Sequence, residues 1–382
     1  MKGGHLIALM TNNDDDIYCF RLELIQRLLE KGCRVLISCP DGPKFEVMEV
    51  SGLKKNRDFI YDNPNIDRRG TNIFRDMKLL LHYRNLLIKY KPSIVLTYTA
   101  KPNVYASVAA HHLHIPVINN VTGFGSVVNE NRLKRTFILW LFKKAYSKSS
   151  CIMFQNSANM ALAKKYGMIR GRYVLIPGSG VNIRRFMLQE YPSGGNGIDG
   201  EKVIFNYIGR VLHDKGIEDY IVAAKRIKSK YPNTEFNILG FIEPTENYYE
   251  KKLEELKKDN IVIYRGAQKD VIPWIKRSHA IIHPSTYGEG MSNVLLESAS
   301  SGRVIITTDN PGCKETVIEG MTGFIYQGGN VEELVEKIEQ FLGLKNDIRR
   351  AMGECGRRYA AENFSRELVV NAYINMIAEL IG

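Results

Sequence analysis

Residues 203–217 read Val203-Ile204-Phe205-Asn206-Tyr207-Ile208-Gly209-Arg210-Val211-Leu212-His213-Asp214-Lys215-Gly216-Ile217. The run Val203–Ile208 predicts a buried strand, Gly209 stops it, and the amphipathic pattern from Ile217 to Tyr231 predicts a helix. Strand, glycine turn and helix open a parallel βαβ unit. The same alternation extends in both directions. Downstream, strands are predicted at Glu235–Leu239, Ile261–Tyr264, Ala280–His283 and Arg303–Thr307, each with a helical pattern behind it. Upstream, they are predicted at His5–Met10, Arg34–Cys39, Ser93–Tyr98, Val117–Val121, Cys151–Gln155 and Val174–Ile176. Ile17, Phe20, Leu24 and Leu28 mark the first helix face, and Gly32 ends that helix. Pro177-Gly178-Ser179-Gly180 closes the upstream series, while Tyr191–Gly200 reads as a flexible linker or loop. A helical stretch over Ser365–Leu380 ends the chain. The expectation is an α/β protein of two Rossmann-like domains, 1–180 and 181–362, facing across a cleft. A closing helix over 363–382 is expected to pack back on the first domain. Ligands of open α/β sheets sit beyond the carboxyl ends of the strands, so chemistry is sought in the loops there.

A chain of 382 residues with 44% hydrophobic and 25% charged residues has the composition of a globular protein with about two domains. That excludes fibrous and disordered classes. No apolar run approaches the ~18 residues of a membrane span, and Leu6–Met10 is too short for a signal-peptide core. The six cysteines are scattered without a Cys-x-x-Cys pair, so packing thiols are expected rather than zinc ligands. A bacterial-type cytoplasm fits. The net charge of +12 is uneven: residues 1–180 hold 27 Lys+Arg against 13 Asp+Glu, and the remainder hold 26 against 28. A basic half attracts anions, whether nucleic acid, anionic lipid or phosphorylated substrate.

Two constellations follow strands of the second series. In Gly209–Gly216, the glycine permits a tight turn, the next helix offers free N–H groups, and Arg210 and Lys215 add cations suited to a pyrophosphate. Gly-Lys-Ser/Thr is missing, so this is no Walker A loop. A solvated basic turn fits these residues equally well. In Glu289-Gly290-Met291-Ser292-Asn293-Val294-Leu295-Leu296-Glu297, two carboxylates eight residues apart bracket the start of a helix over Asn293–Ser301. Carboxylates grip vicinal hydroxyls, and helix-start amides hold phosphate or sugar oxygens. Glu297 alone reads equally as a helix-face charge.

Together these residues resemble the retaining GT-B glycosyltransferases of family 4, with their Glu-x7-Glu signature. Further likeness lies in Pro284-Ser285, in Gly312…Glu315…Gly320…Gly323, and in Ile176-Pro177-Gly178-Ser179-Gly180-Val181-Asn182…Phe186. Phe20-Arg21, Lys101-Pro102-Asn103-Val104-Tyr105 and Val121-Thr122-Gly123-Phe124-Gly125 resemble a narrower branch that extends polyprenyl-diphosphate-linked glycans of capsule, O-antigen or protein-glycosylation pathways. The resemblance implies a UDP-sugar as co-substrate and no metal or other cofactor. Arg210 and Lys215 would bind the diphosphate, Glu297 the ribose hydroxyls and Glu289 the transferred sugar. Gly290, Met291 and Ser292 would offer it backbone contacts, Gly209 would shape the turn, and Arg265-Gly266 would meet the nucleobase. Many relatives carry a His-Gly or His-Asp pair in the loop that reads Thr122-Gly123-Phe124-Gly125 here. Arg21, Lys101, Thr122 and Gly123 are acceptor-side candidates, with Arg68-Arg69 behind them. Asp14-Asp15-Asp16 reads as a helix cap and dipole partner, and His111, His112 and His114 as helix-terminal residues.

The third constellation, Arg132 to Lys148, sets Arg132, Lys134, Arg135, Lys143, Lys144 and Lys148 around Phe137, Trp140 and Phe142. This is the composition of an interfacial helix on an anionic membrane, at about 1 kcal/mol per cation near the surface. The competing reading packs Phe137, Leu141 and Tyr146 into the domain. A peripheral transferase at the inner face of the cell membrane, acting on a lipid-linked saccharide, is the resulting expectation. A soluble transferase for a free sugar, or a non-catalytic binding protein, competes with it. Nucleic acid is not an expected partner, for want of RNP, zinc-finger or Arg-Gly-Gly signatures.

Overall fold

The computed structural model describes residues 4–42, 56–67, 72–124, 132–288 and 290–382, with backbone only at 132–134. It divides into two compact units, Met1–Ser179 with Arg366–Gly382, and Gly180–Ser365. Elements are numbered below in chain order over the described residues.

The first unit is built on a parallel sheet of seven strands in the order β3-β2-β1-β4-β5-β6-β7. The strands are β1 Leu6–Met10, β2 Arg34–Ser38, β3 Phe59–Asp62, β4 Ile94–Tyr98, β5 Val117–Val121, β6 Cys151–Phe154 and β7 Arg172–Leu175. β1, β4 and β5 are buried along their whole length, as expected where helices cover both faces of a parallel sheet. Alternate residues supply the two faces. Ile7, Leu9, Val35, Ile37, Ile94, Leu96 and Met153 pack against α2 (Leu22–Glu30) and the last helix, α13 (Arg366–Ile381). Leu6, Ala8, Met10, Leu36, Val95 and Val117 meet α3 (Ile73–Tyr90) and α4 (Ala100–His112) on the opposite face. That face continues through Val121, Ile152 and Phe154 to α5 (Arg132–Tyr146) and α6 (Ser157–Lys165). The first short helix, α1 (Asp14–Phe20), starts at Asn13, whose side chain accepts from the Asp16 amide at 2.8 Å. Asp14, Asp15 and Asp16 form its first turn, where negative charge complements the helix dipole.

The second unit has a parallel six-stranded sheet in the order β10-β9-β8-β11-β12-β13. Its strands are β8 Val203–Ile208, β9 Thr234–Leu239, β10 Ile263–Gly266, β11 Ala280–His283, β12 Val304–Thr308 and β13 Gly323–Tyr326. The helices are α7 Ile217–Lys230, α8 Tyr248–Lys258, α9 Ile272–Arg277, α10 Asn293–Ser300, α11 Val331–Gly343 and α12 Asn346–Phe364. In each sheet the strand order reverses once, between β1 and β4 and between β8 and β11. The second reversal lies directly behind the two constellations read from the sequence.

The predicted strands lie within two residues of those observed, but β3 and β13 carried no recognised signal. Both are four-residue outer strands, and Phe-Ile-Tyr-Asp is only half-buried beyond Phe59. β10 lies two residues later than predicted, and its pairing with β9 shifts register between Tyr264 and Gly266.

Candidate active site

β8 and β9 end backbone against backbone. A Cβ at Gly240 would stand 1.7 Å from the Gly209 carbonyl oxygen, so only glycine fits there. Beyond Gly209 the chain makes a single turn, His213–Lys215, and Gly216 follows with φ +72°. A Cβ at Gly216 would come 2.0 Å from the Pro284 oxygen. This close approach sets the turn against the loop after β11. The Thr286 amide then donates to the Asp214 carbonyl at 3.0 Å. Two segments some 70 residues apart are thereby fixed side by side.

Tyr287 is the consequence. Its ring faces both predicted cations, with the Lys215 Nζ 5.0 Å and the Arg210 Cζ 5.7 Å from its centroid. Lys215 is buried to within 8%. Arg210 donates from Nη1 to Glu243 Oε1 at 2.7 Å, and the Glu243 side chain is only 2% exposed. Burial of the Arg210 guanidinium works against its charge. The hydrogen bond and charge of Glu243, with Tyr287 beside it, outweigh that and hold its pKa above the ordinary arginine value. Two cations are thus held against one aromatic ring, one of them tied by a buried carboxylate.

The second constellation is described in part, because Glu289 lies outside the described residues. Met291 turns its side chain into the core beside Ile208, Leu239 and Leu296, leaving its backbone for the loop. Ser292 caps α10; its amide donates to the Gly312 carbonyl at 2.8 Å, and its hydroxyl shares a hydrogen bond with His283 Nε2 at 3.2 Å. The Gly312 amide in turn donates to Glu315 Oε2 at 2.7 Å. Gly290 is buried, and Glu297 lies half-buried one turn along α10. The Gly266 carbonyl accepts from the Gly240 amide at 3.0 Å, at the same strand ends. The Arg265 side chain runs the other way: its Nε donates to Asn237 Oδ1 at 2.8 Å, and its guanidinium packs near Trp274. The register shift at Tyr264–Gly266 accompanies that turn.

The first unit places its candidates differently. Arg21 is 1% exposed, with its guanidinium 4.3 Å above the Tyr98 ring and 3.8 Å from Asp16. Lys101 donates to Asp76 at 2.6 Å and is largely covered. Thr122 and Gly123 are half-buried after β5, beside Phe124, whose ring meets Phe142 edge-on. Arg68, Arg69 and Gly125 lie outside the described residues, as do the side chains of Arg132 and Lys134. Along α5, Leu139, Phe142 and Tyr146 are buried. Phe137 and Trp140 are 53% and 47% exposed and stack on each other at 6.1 Å. Lys144 sits 4.4 Å over Trp140, and Lys143 is exposed. The helix therefore packs Leu139, Phe142 and Tyr146 into the domain and leaves Phe137 exposed, where the packing reading had buried it. No helix among the described residues is long and apolar enough to cross a membrane.

Sequence reading missed Tyr287 and Glu243. Glu243 carried one usable signal, since it stands four residues past the end of β9, beside the strand-end loop of Arg210.

Two parallel α/β units in one chain are the build of the GT-B fold. The chain belongs to the glycosyltransferases: residues 193–359 match the family described as Glycosyl transferases group 1, and residues 7–156 the family described as Glycosyl transferase 4-like. It is 26% identical over 312 residues to the capsular polysaccharide biosynthesis glycosyltransferase CapM of Staphylococcus aureus, covering 79% of this chain and 80% of that one. It is 24% identical over 348 residues to the N,N'-diacetylbacillosaminyl-diphospho-undecaprenol alpha-1,3-N-acetylgalactosaminyltransferase of Campylobacter jejuni, covering 88% and 89%. The crystal structure of Anabaena HepE with UDP and glucose shares the fold at a TM-score of 0.79 and 14% identity, covering 98% of this chain and 100% of that one.

Proposed function

We propose that this glycosyltransferase moves a hexose or N-acetylhexosamine from a UDP-sugar to a polyprenyl-diphosphate-linked saccharide, with retention of configuration, at the inner face of the cell membrane. The observation that carries the reading is the Arg210–Lys215 pair, held on Tyr287 at the strand ends of the second unit. Its charge and place suit a nucleotide diphosphate. The lipid-linked acceptor is supported by the name of the Campylobacter relative and by the basic first unit.

In the reaction, the bond between the sugar C1 and the β-phosphate oxygen breaks, and its electron pair passes to that phosphate. The acceptor hydroxyl oxygen bonds to C1 from the same face, and its proton passes to the departing phosphate oxygen. Nucleoside diphosphate and the lengthened glycan result, so neither a protein base nor a metal ion is required. Arg210 and Lys215 stabilise the charge that grows on the diphosphate, the kind of preorganised contact that contributes about 3–4 kcal/mol when one donor is removed. Glu297 accepts from the ribose hydroxyls, and Glu289 from the hydroxyls of the transferred sugar. Gly266, at the end of β10, would meet the nucleobase.

Thermal unfolding with a panel of UDP-, GDP- and ADP-sugars, with and without EDTA, tests the donor assignment, because a ligand that binds only the folded state raises the midpoint. One UDP-sugar giving a selective, EDTA-independent shift is the expected result. No shift with any nucleotide sugar would remove the phosphate and ribose roles together. NMR of the product's anomeric proton tests retention.

A further inference from the structure

α3 has two apolar faces. Leu79, Tyr83, Leu86 and Leu87 are buried in the first unit's core. Ile73, Phe74, Met77, Leu81 and Ile88 are 72%, 83%, 52%, 49% and 42% exposed. At 3.6 residues per turn these five fall within an arc of about 100°, so they share one exposed face of the helix, which Arg84 interrupts between Leu81 and Ile88. Scattered exposed leucines need no explanation, but a stripe of this length signals a surface with a partner.

The charges beside the stripe say which partner. Lys78, Arg84 and Lys89 are exposed on α3, Lys91 follows it, and none of them pairs with a carboxylate among the described residues. Arg75 is bound to Asp67. Asp76 is the one acidic residue of the helix, and it is covered by Lys101 at 2.6 Å and by the Tyr105 hydroxyl at 2.9 Å. The exposed surface of α3 is thus an apolar face with Lys78 and Lys89 along one margin and Arg84 within it. α4 packs against both α3 and α5 on the same side of the sheet, so the stripe and the Phe137–Trp140 pair belong to one flank of the unit.

We infer that α3 is a second interfacial helix, which lays Ile73, Phe74, Met77 and Leu81 into the acyl boundary of an anionic bilayer while Lys78, Arg84 and Lys89 meet its headgroups. The inference rests on the membrane reading above and extends it from α5 to a two-helix face. Such a face orients the unit on the lipid as well as holding it there, because two separated lines of insertion fix a plane.

Co-sedimentation with vesicles of phosphatidylcholine mixed with phosphatidylglycerol, against pure phosphatidylcholine, tests it on three proteins: wild type, Ile73→Ser/Phe74→Ser/Met77→Ser, and Phe137→Ser/Trp140→Ser. The altered side chains are largely exposed, and circular dichroism with UDP-sugar thermal shift confirms the fold of each. The expected result is anionic-lipid binding by wild type that weakens with salt, and a loss of about tenfold or more in each variant, since each loses apolar side chains that the bilayer would withdraw from water. Wild-type binding lost only in the α5 variant would overturn the α3 assignment and leave the membrane reading standing. No wild-type binding would overturn both. A wild-type dimer that dissociates in the α3 variant would assign the stripe to a second copy of this chain and overturn the inference as well.

Discussion

Glu243 Oε1 accepts from Arg210 Nη1 at 2.7 Å, and the carboxylate is almost wholly withdrawn from solvent while the guanidinium is a third exposed. The two residues leave neighbouring strands, β8 and β9, at the ends where ligands of open sheets bind. A buried carboxylate costs several kcal/mol unless it is paired, so Glu243 holds the guanidinium in one place as firmly as the guanidinium holds it. Arg210→Ala is expected to lower kcat by about 100-fold or more, because a charge-stabilising donor is lost where charge develops. Glu243→Gln keeps the shape and removes the charge. It is expected to lower kcat by roughly tenfold through looser positioning of the arginine, with a smaller change in donor KM. Steady-state kinetics at saturating acceptor separates these. A Glu243→Gln enzyme running at the wild-type rate would show that Arg210 is placed without it.

Glu297 provides a prediction about recognition. If its carboxylate accepts from the ribose hydroxyls, Glu297→Ala weakens UDP binding by about tenfold, the loss of one or two hydrogen bonds to a charged group. The test is a pair of titrations. Wild type should bind UDP more tightly than 2′,3′-dideoxy-UDP, and Glu297→Ala should bind both alike. If the variant still discriminates between them by calorimetry, the ribose contact lies elsewhere.

How far this site could be read from sequence depended on contiguity. Gly209, Arg210, Lys215 and Gly216 fall in one strand–turn–helix stretch, where backbone geometry follows from the residues themselves, and the strands on either side followed from their apolar runs. Tyr287 and Glu243 reach the same place from 77 and 33 residues away along the chain. Only the parallel sheet order and the Gly216–Pro284 contact bring them in, and no local pattern encodes either. Arg265 shows the converse. Its position at a strand end was legible, but its side chain's bond to Asn237, on the neighbouring strand, was not. α3 was missed because its apolar residues serve two faces, which blurs the one-sided periodicity by which a surface helix is recognised.

Gly216 links the site to stability. Its φ of +72° lies in the left-handed region, and a Cβ there would stand 2.0 Å from the Pro284 oxygen. Gly216→Ala therefore forces either the turn or the Pro284 loop to move. The expected loss is roughly 2–4 kcal/mol from backbone strain and overpacking together. Because Lys215 and Tyr287 lie on the two sides of that contact, the loss should be accompanied by weaker UDP binding. Urea denaturation and a UDP titration on the same sample check both. An unchanged midpoint would mean that the two segments are not held together at this glycine.

Burial of His279 is expected to make the second unit sensitive to acid. It is 1% exposed, its Nδ1 accepts from the Ile204 amide at 3.0 Å, and its Nε2 lies 3.0 Å from the Ser193 carbonyl. That pattern fits the neutral ring with its proton on Nε2, and burial lowers its pKa to about 4. An unfolded histidine takes up a proton near pH 6.5, while this one stays neutral until about pH 4. Between those values the unfolded state binds more protons, so the folded state loses stability as pH falls. The contribution is intact above about pH 6.5, and a loss on the order of 3 kcal/mol accumulates by about pH 4. His279→Gln should lower stability at pH 7, since one side-chain amide cannot reproduce both bonds. It should also flatten the dependence between pH 6.5 and 4 relative to wild type. Chemical denaturation at several pH values in this window checks the prediction, and parallel curves for the two proteins would assign the acid sensitivity to another group, His111 foremost, whose pKa burial also lowers to about 4.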